Sequence, residues 1–267
     1  MSDEPEKRIT LYTHLSSPYS KRVELALAEA GVDYDSHIID LIRKPEWYVR
    51  DVKDPNGKIP ALSYGPPPSA SSTVLPPPDS FHLSESLVIL PFLADLYPAL
   101  LPPSPEDRAR ARFFIAKVQE RVVPAWFGAI TTGEVELDVL VNALKEVQRL
   151  LPEATVDGED ESAGASGVHE EGETGYAAGR WSIADAAFGP FPYLTEVYLR
   201  NDAGAYAPGF GPRVWAEIFE SERFARLQAY FGRVSGRKSW NVMSDERYML
   251  VFLPKFMAYM GVQRKDH

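Results

Sequence analysis

The residues best suited to chemistry lie in three short segments, and the first contains a serine at the entrance of a predicted helix. Ser17 stands between an apolar run over 9–15 and a helical pattern over 20–31. A hydroxyl at such a turn can donate to a thiolate or an oxyanion, and the N–H groups and dipole of the helix end stabilise negative charge. By itself, a serine before Pro18 at a helix start is usually only an N-cap.

The other two segments offer contacts for an extended peptide. Pro60 lies just inside a predicted strand, and a cis peptide bond before it would leave the main chain of Ile59 open to a ligand. Glu85 and Ser86 stand at the start of a predicted helix. There the acid can accept from an α-ammonium group, while the hydroxyl and the helix amides hold a carboxylate. A small thiol peptide satisfies all three segments.

Apolar periodicity predicts the elements that position these residues. A strand over 9–15, a helix over 20–31 and a strand over 34–41 form a βαβ unit, which gives two parallel strands. Further strands are predicted over 58–64 and 81–83, followed by a helix over 86–97. The first 98 residues are therefore predicted to form an α/β domain.

The pattern changes after a proline-rich connector over 98–105. Ser182 and Asp185 are spaced as a capping pair at one of the new helix starts. The sequence therefore predicts an α/β domain over 1–98, followed by an all-α domain over 99–267. The helices of the second domain are predicted over 107–129, 134–151, 183–199, 214–219, 222–234 and 245–260.

Composition excludes several classes of function. The 267 residues carry a net charge of −10, from 38 acidic and 28 basic side chains, so we expect no general nucleic-acid or anionic membrane surface. The chain has no Cys, which excludes disulfides, thiolate metal sites and a protein thiol nucleophile. The proline-rich stretch 65–79 and the acidic stretch 155–176 are predicted to be exposed loops.

Other kinds of site are not indicated. Neither a phosphate-binding glycine loop nor a nucleophile elbow is present. Residues 1–8 are polar and no window approaches about 18 uninterrupted apolar residues, so we expect a soluble cytoplasmic protein. Among the histidines, His14 is close to the Ser17 turn and can line the site. No metal site is predicted, because metal-ligand spacing is absent among His14, His37, His82, His169 and His267.

The ordered series of motifs resembles the glutathione transferases, in particular the serine-type omega-like enzymes of wood-degrading basidiomycete fungi. The resemblance spans about residues 8–260. It implies a thioredoxin-like N-terminal domain, a helical C-terminal domain, and glutathione as co-substrate without a metal. The motifs are Ser17-Pro18-Tyr19 through Arg22-Val23, Lys44-Pro45-Glu46-Trp47-Tyr48, Asn56-Gly57-Lys58-Ile59-Pro60-Ala61-Leu62, Glu85-Ser86 and Trp181-Ser182-Ile183-Ala184-Asp185.

The resemblance also implies how glutathione is held. The thiol faces Ser17, the cysteinyl main chain pairs with Ile59 beside a cis proline, and Glu85 and Ser86 hold the γ-glutamyl end. Lys44 contacts the glycyl carboxylate. The implied glutathione-binding residues are Ser17, Lys44, Ile59, Pro60, Glu85 and Ser86.

Ser17 departs from the usual omega pattern, which has a Cys here that forms a mixed disulfide with glutathione. Serine cannot form that bond, and the chain has no Cys elsewhere to replace it. Thiol-transferase and dehydroascorbate-reductase activities are therefore not expected. In the noncovalent alternative, Ser17 and nearby amides lower the thiol pKa from about 8.5, and the thiolate attacks an electrophile or reduces a peroxide.

A hydrophobic substrate site is expected between the two domains. Tyr248, Phe252, Phe256 and Met260 repeat every four residues and form an aromatic stripe. Such a stripe either packs in the core or covers a broad site for flat aromatic ligands, and the resemblance to wood-decay enzymes favours plant-derived aromatics. The residues predicted to line the site are Tyr19, Trp126, Phe127, Tyr193, Tyr248 and Phe252.

Three classes of function remain open. The leading hypothesis is a glutathione transferase that conjugates hydrophobic electrophiles or reduces organic peroxides, with glutathione-dependent ether cleavage as a variant. The second is a noncatalytic carrier, or ligandin, that sequesters polyphenols. The third is an interaction module, against which the intact Glu85-Ser86 pair argues. The resemblance also implies a homodimer, although the 65–79 insertion lies near the edge that commonly joins subunits.

Overall fold

The computed structural model describes residues 7–52, 57–67, 75, 77, 79–153, 175–243 and 245–266. Most of the two predicted loops, over 65–79 and 155–176, therefore lies outside the described residues, as do Asn56, His169 and His267.

Four short strands form one mixed sheet in the order β2-β1-β3-β4. The central β1 runs parallel to β2 and antiparallel to β3, and β3 runs antiparallel to β4. Leu11 of β1 stands opposite Ser36 on one side and Leu62 on the other. This arrangement confirms the predicted thioredoxin-like fold. The strands are β1 (Arg8–Thr13), β2 (Asp35–Ile38), β3 (Ala61–Gly65) and β4 (Phe81–Ser84).

Helices cover both faces of the sheet. On one face, Leu11 packs with the apolar sides of α1 and α3 in the main core. On the other face, Tyr12 and Tyr48 belong to a smaller core beneath α2. Both faces of β1 are therefore buried, which explains its nearly continuous apolar run. The helices of this part are α1 (Pro18–Glu29), α2 (Glu46–Asp51) and α3 (Ser86–Leu96).

The rest of the described chain is helical and shares the main core with the sheet. A long helix begins with α4 and α5, which are joined and extended by two wide π-helical segments, Val118–Val122 and Phe127–Thr132. The helices are α4 (Pro105–Lys117), α5 (Val123–Trp126), α6 (Leu137–Gln148), α7 (Ile183–Phe188), α8 (Pro190–Arg200), α9 (Phe210–Phe219), α10 (Ala225–Ser235) and α11 (Glu246–Tyr259).

The capping pair predicted at the start of α7 is confirmed. The Ser182 side chain accepts from the N–H of Ala184 at 3.2 Å, and a carboxylate oxygen of Asp185 accepts from the N–H of Ser182 at 2.8 Å. This reciprocal pairing satisfies N–H groups that the first turn leaves unpaired.

The structure differs from the predicted elements at several places. The helix predicted over 107–129 overlaps both π-helical segments, and α9 begins at Phe210 rather than at 214. The helix expected over 183–199 is divided into α7 and α8 at Gly189, because Pro190 has no N–H with which to continue the ladder. The short helix α2 is not among the predicted elements, since its six residues are too few to show a clear apolar period. Within the described residues, no helix has the length and apolar character needed to cross a bilayer.

Candidate functional site

A cavity of about 480 Å³ lies where the sheet end meets the helical part. Its lining contains the three sequence segments singled out above, together with an aromatic wall formed by Tyr19 of α1 and by residues of the later helices. The structure brings every predicted glutathione-binding residue to this cavity: Ser17, Lys44, Ile59, Pro60, Glu85 and Ser86.

Ser17 is placed at the turn from β1 into α1, as expected. It is the N-cap of α1, and its Oγ accepts from the N–H of Ser20 at 3.2 Å. Its own N–H donates to the carbonyl of His14 at 3.1 Å. Because Ser17 Oγ serves as the acceptor toward the helix, its hydroxyl hydrogen remains available for an acceptor in the cavity.

His14 holds the Ser17 turn in place. Its Nδ1 accepts from the N–H of Ser16 at 3.2 Å, and its Nε2 lies 3.3 Å from the hydroxyl of Tyr248 on α11. Burial lowers the pKa of His14 to about 4, although the charge of Asp40 acts in the opposite direction. In this neutral ring Nδ1 is the acceptor, so Nε2 carries the hydrogen and donates to Tyr248.

This lowered pKa makes His14 a source of acid sensitivity. Between pH 4 and its ordinary pKa of 6.5, the unfolded chain binds a proton that the folded chain excludes. The stabilisation from neutral His14 is therefore fully present above pH 6.5, and it is lost as the pH falls toward 4. As the pH rises from 4 to 6.5, we expect the free energy of unfolding of the wild type to increase by about 3 kcal/mol relative to that of His14→Gln. Urea unfolding at several pH values measures this difference.

The comparison with His14→Gln isolates this group from the others that titrate in the same range. Burial raises the pKa of Asp185 to about 6, so Asp185 lowers the stability as the pH rises through this range. Because Asp185 is present in both proteins, this effect cancels in the comparison. Parallel curves for the two proteins between pH 4 and 6.5 would contradict the assignment.

The peptide bond between Ile59 and Pro60 is cis, which confirms the expectation for this segment. The bond lies just before β3, and both residues line the cavity. The phenol of Tyr48, buried under the sheet, donates to the carbonyl of Lys58 at 2.6 Å. Helix α2 thereby fixes the segment that carries Ile59.

Glu85 and Ser86 occupy the start of α3. Glu85 has φ of +70°, a conformation that non-glycine residues seldom adopt and that is concentrated at functional sites. Its carboxylate pairs with Lys58 at 3.2 Å, and both side chains are largely exposed to the cavity and solvent. Ser86 is buried, and it presents the first N–H of α3 near the same opening.

Arg22, for which the sequence predicts no role of its own, lies behind the cavity lining and bonds to two residues of that lining, Ser86 and Gln119. Its guanidinium is buried and donates to the carbonyl of Ala187, to Ser86 Oγ and to Gln119 Oε1 at 2.8, 3.2 and 3.3 Å. It also lies over the rings of Tyr19 and Phe191. Burial lowers its pKa to about 10, so the side chain remains a cation at neutral pH. A lone Arg on the apolar face of α1 was the available signal.

The aromatic wall includes four of the six predicted hydrophobic residues: Tyr19, Trp126, Phe127 and Phe252. Thr131, Tyr198, Leu253 and Phe256 complete this side of the cavity.

The structure places Tyr193 and Tyr248 outside the lining. Tyr193 packs edge-on against Trp240, with ring centroids 5.8 Å apart. It lies five residues before Tyr198 on α8, and at about 100° per residue this spacing turns it to another face of the helix. Tyr248 stacks on Phe252 at 6.1 Å, one turn farther along α11 than the cavity extends.

The described residues contain no group of three or more His, Cys, Asp or Glu side chains placed to hold a metal ion.

Comparisons with known proteins match this architecture. The N-terminal domain model of the glutathione S-transferases matches residues 16–96. Glutathione transferase Omega 1C from Trametes versicolor is 37% identical, with a TM-score of 0.79 over 95% of this chain and 98% of that chain. Omega 2S from the same fungus, solved in complex with 2,4-dihydroxybenzophenone, is 35% identical, with a TM-score of 0.77 over 93% and 99% of the two chains.

Curated relatives match over shorter stretches. Pyrimidodiazepine synthase of Drosophila melanogaster is 34% identical over 139 residues, which are 51% of this chain and 52% of the relative. Glutathione S-transferase U2 of Arabidopsis thaliana is 29% identical over 157 residues, 58% of this chain and 63% of the relative. The chain thus spans between half and two thirds of these relatives. Its likeness to the omega structures covers both chains almost fully, and the chain belongs to the glutathione transferase family, alongside the omega-class members.

Proposed function

We propose that the protein is a glutathione transferase in which Ser17 stabilises the glutathione thiolate without forming a covalent bond to it. The convergence of Ser17, the cis Ile59-Pro60 segment and the Glu85-Ser86 pair on one cavity carries this proposal. The hydroxyl hydrogen of Ser17 is free to donate, and it stands at the positive end of α1.

Each part of glutathione has a suitable partner in the lining. The γ-glutamyl ammonium pairs with Glu85, and its carboxylate accepts from Ser86 and the first amides of α3. The cysteinyl main chain lies along Ile59, and the glycyl carboxylate pairs with Lys44. These contacts hold the sulfur beside Ser17 and direct it toward the aromatic wall.

The reaction follows from this placement. Donation from Ser17 favours the ionised thiol over the neutral one and so lowers its pKa. In the aromatic part of the cavity the thiolate then forms a C–S bond to the electrophilic carbon of a hydrophobic substrate, with loss of a leaving anion or addition across a C=C bond. Toward an organic peroxide it attacks one oxygen, the O–O bond breaks to release the alcohol, and a second glutathione converts the glutathione sulfenic acid into the disulfide and water. Since the chain has no Cys, exchange through a protein disulfide is not part of this function.

The glutathione site is tested by replacing Glu85 with Gln. The change removes one negative charge opposite the γ-glutamyl ammonium, and a charge-assisted hydrogen bond becomes a neutral one. We expect the Kd for glutathione, measured by calorimetry, to rise about tenfold. Glu46→Gln is the matched control, because Glu46 is an exposed acid on α2 outside the cavity lining. Equal affinities for the two variants would refute the proposed γ-glutamyl site.

A carrier function is the second candidate, favoured by the aromatic wall. Trp126, Phe127, Phe252 and Phe256 offer ring surfaces to a flat ligand. The related Omega 2S protein has been solved with 2,4-dihydroxybenzophenone, a ketone that carries two aromatic rings. Tight binding of that compound, with no turnover of any electrophile in the presence of glutathione, would select the carrier over the enzyme.

We propose further that the protein forms a homodimer through the β4 edge of the sheet. Phe81 on β4, Val88 on α3 and Phe113 on α4 are each more than half exposed, at 51%, 51% and 53%. Burial of such side chains by a second copy is favourable. Sedimentation equilibrium is expected to give twice the 29.8 kDa mass of one chain, whereas a value near one chain would overturn the proposal.

A further inference from the structure

Arg22 determines which end of the Gln119 amide is available in the cavity, because Gln119 lines the cavity and bonds to Arg22 behind it. The guanidinium of Arg22 is a donor only, and its Nη1 lies 3.3 Å from Oε1 of Gln119. An amide facing such a group must present its oxygen, since two donors cannot pair. The Nε2 group of Gln119, with two hydrogens, is therefore directed away from Arg22.

The position of Gln119 makes this amide nitrogen available to a ligand. Gln119 lies in the π-helical segment Val118–Val122. Such segments are rare in proteins, and those that occur are often found at functional sites. Gln119 lines the cavity, and it lies near Ser86, because the same Nη1 of Arg22 donates to both side chains. The hydroxyls of Thr131 and Tyr198, in the same lining, can donate or accept, whereas the free end of Gln119 can only donate.

We infer that Gln119 is a specificity-determining residue that favours electrophiles with an oxygen acceptor conjugated to the reacting carbon. This inference rests on the proposed transferase function and names the substrate class of the same site. In an α,β-unsaturated ketone, the thiolate forms a C–S bond at the β-carbon, the C=C π bond breaks, and its electron pair moves to the carbonyl oxygen. Donation from Gln119 Nε2 stabilises the resulting enolate, which then takes a proton from water at the α-carbon.

A matched pair of substrates tests the role of Gln119. Benzylideneacetone reacts by conjugate addition through an enolate, whereas benzyl bromide reacts by displacement of bromide and develops no charge on a carbonyl oxygen. We expect Gln119→Met to lower kcat/KM about tenfold for benzylideneacetone, chiefly through kcat, and less than about twofold for benzyl bromide. Gln119→Glu, whose carboxylate donates no hydrogen, is expected to show the same selective loss.

Gln263→Met serves as the control, because Gln263 is an exposed glutamine outside the cavity lining. An equal loss for both substrates in Gln119→Met, or no loss for either, would overturn the inference and leave the transferase function intact. A wild type that conjugates benzyl bromide but not benzylideneacetone would also overturn it. If the wild type conjugates neither substrate, the proposed function itself fails.

Discussion

Replacement of Ser17 by Ala is expected to return the thiol pKa of bound glutathione toward the free value of about 8.5, and to lower kcat/KM about 100-fold. The Ser17 hydroxyl accepts from the N–H of Ser20 and has its hydrogen left for the sulfur. Alanine removes that donor, although the amides and dipole of α1 remain. The thiolate is then stabilised less, and a smaller fraction of glutathione is ionised near neutral pH.

The ultraviolet absorbance of the thiolate, followed against pH with glutathione bound, measures this effect directly. Ser20→Ala is the matched control, because Ser20 is buried in the same turn but does not line the cavity. Ser16→Ala tests the neighbouring hydroxyl, which does line it. If the low thiol pKa persists in Ser17→Ala and is lost in Ser16→Ala, Ser16 rather than Ser17 is the activating group.

Ser17 also caps α1, so part of its effect on the protein concerns folding. Loss of an N-cap costs about 1 kcal/mol, which leaves a protein of this size folded. Ser17→Cys tests whether residue 17 lies beside the glutathione sulfur, because it would introduce a single thiol into a chain that has none. Oxidised glutathione is expected to add one glutathionyl group to that variant and none to the wild type, as measured by intact mass.

Most of the fold follows from local sequence patterns. Short apolar runs locate the four strands and helical periodicity locates the long helices, because buried positions in the structure coincide with apolar positions in the sequence. The π-helical segments around Trp126 were not predictable, since an extra residue in a turn depends on packing against α6 and α8 rather than on residue type.

The glutathione side of the cavity was more predictable than the aromatic side. Ser17, Pro60 and Glu85 each stand at the end of a strand or helix, where residue type and backbone geometry are tightly linked. The aromatic wall instead combines side chains of several helices whose relative placement no local rule determines. Tyr198, rather than Tyr193, therefore faces the cavity, and the exposed Gln119 was recognisable only after Arg22 was located.

The second large effect concerns folding and arises at the start of α7. Asp185 is fully buried, and its carboxylate accepts from the N–H groups of Ala177 and Ser182 at 3.0 and 2.8 Å. Asp185→Ala leaves the buried N–H of Ser182 and the partly buried N–H of Ala177 without this acceptor. Each unpaired buried group costs about 1–3 kcal/mol, so we expect the free energy of unfolding to fall by about 4 kcal/mol.

Helix α4 provides an internal control with the same four-residue spacing. Its N-cap Ser104 accepts from the N–H of Asp107 at 3.0 Å, and the Asp107 side chain is 35% exposed. The Asp107 carboxylate accepts from the Ser104 hydroxyl at 2.8 Å and from Arg110 at 2.6 Å, and water can replace it toward both groups, so Asp107→Ala is expected to cost much less than Asp185→Ala. Both variants are compared with the wild type by urea unfolding at neutral pH. This pH is above the raised pKa of about 6 for Asp185, so Asp185 is ionised in the wild type and in Asp107→Ala. A loss for Asp107→Ala as large as that for Asp185→Ala would contradict the assignment, because only Asp185 is buried and accepts from two backbone N–H groups.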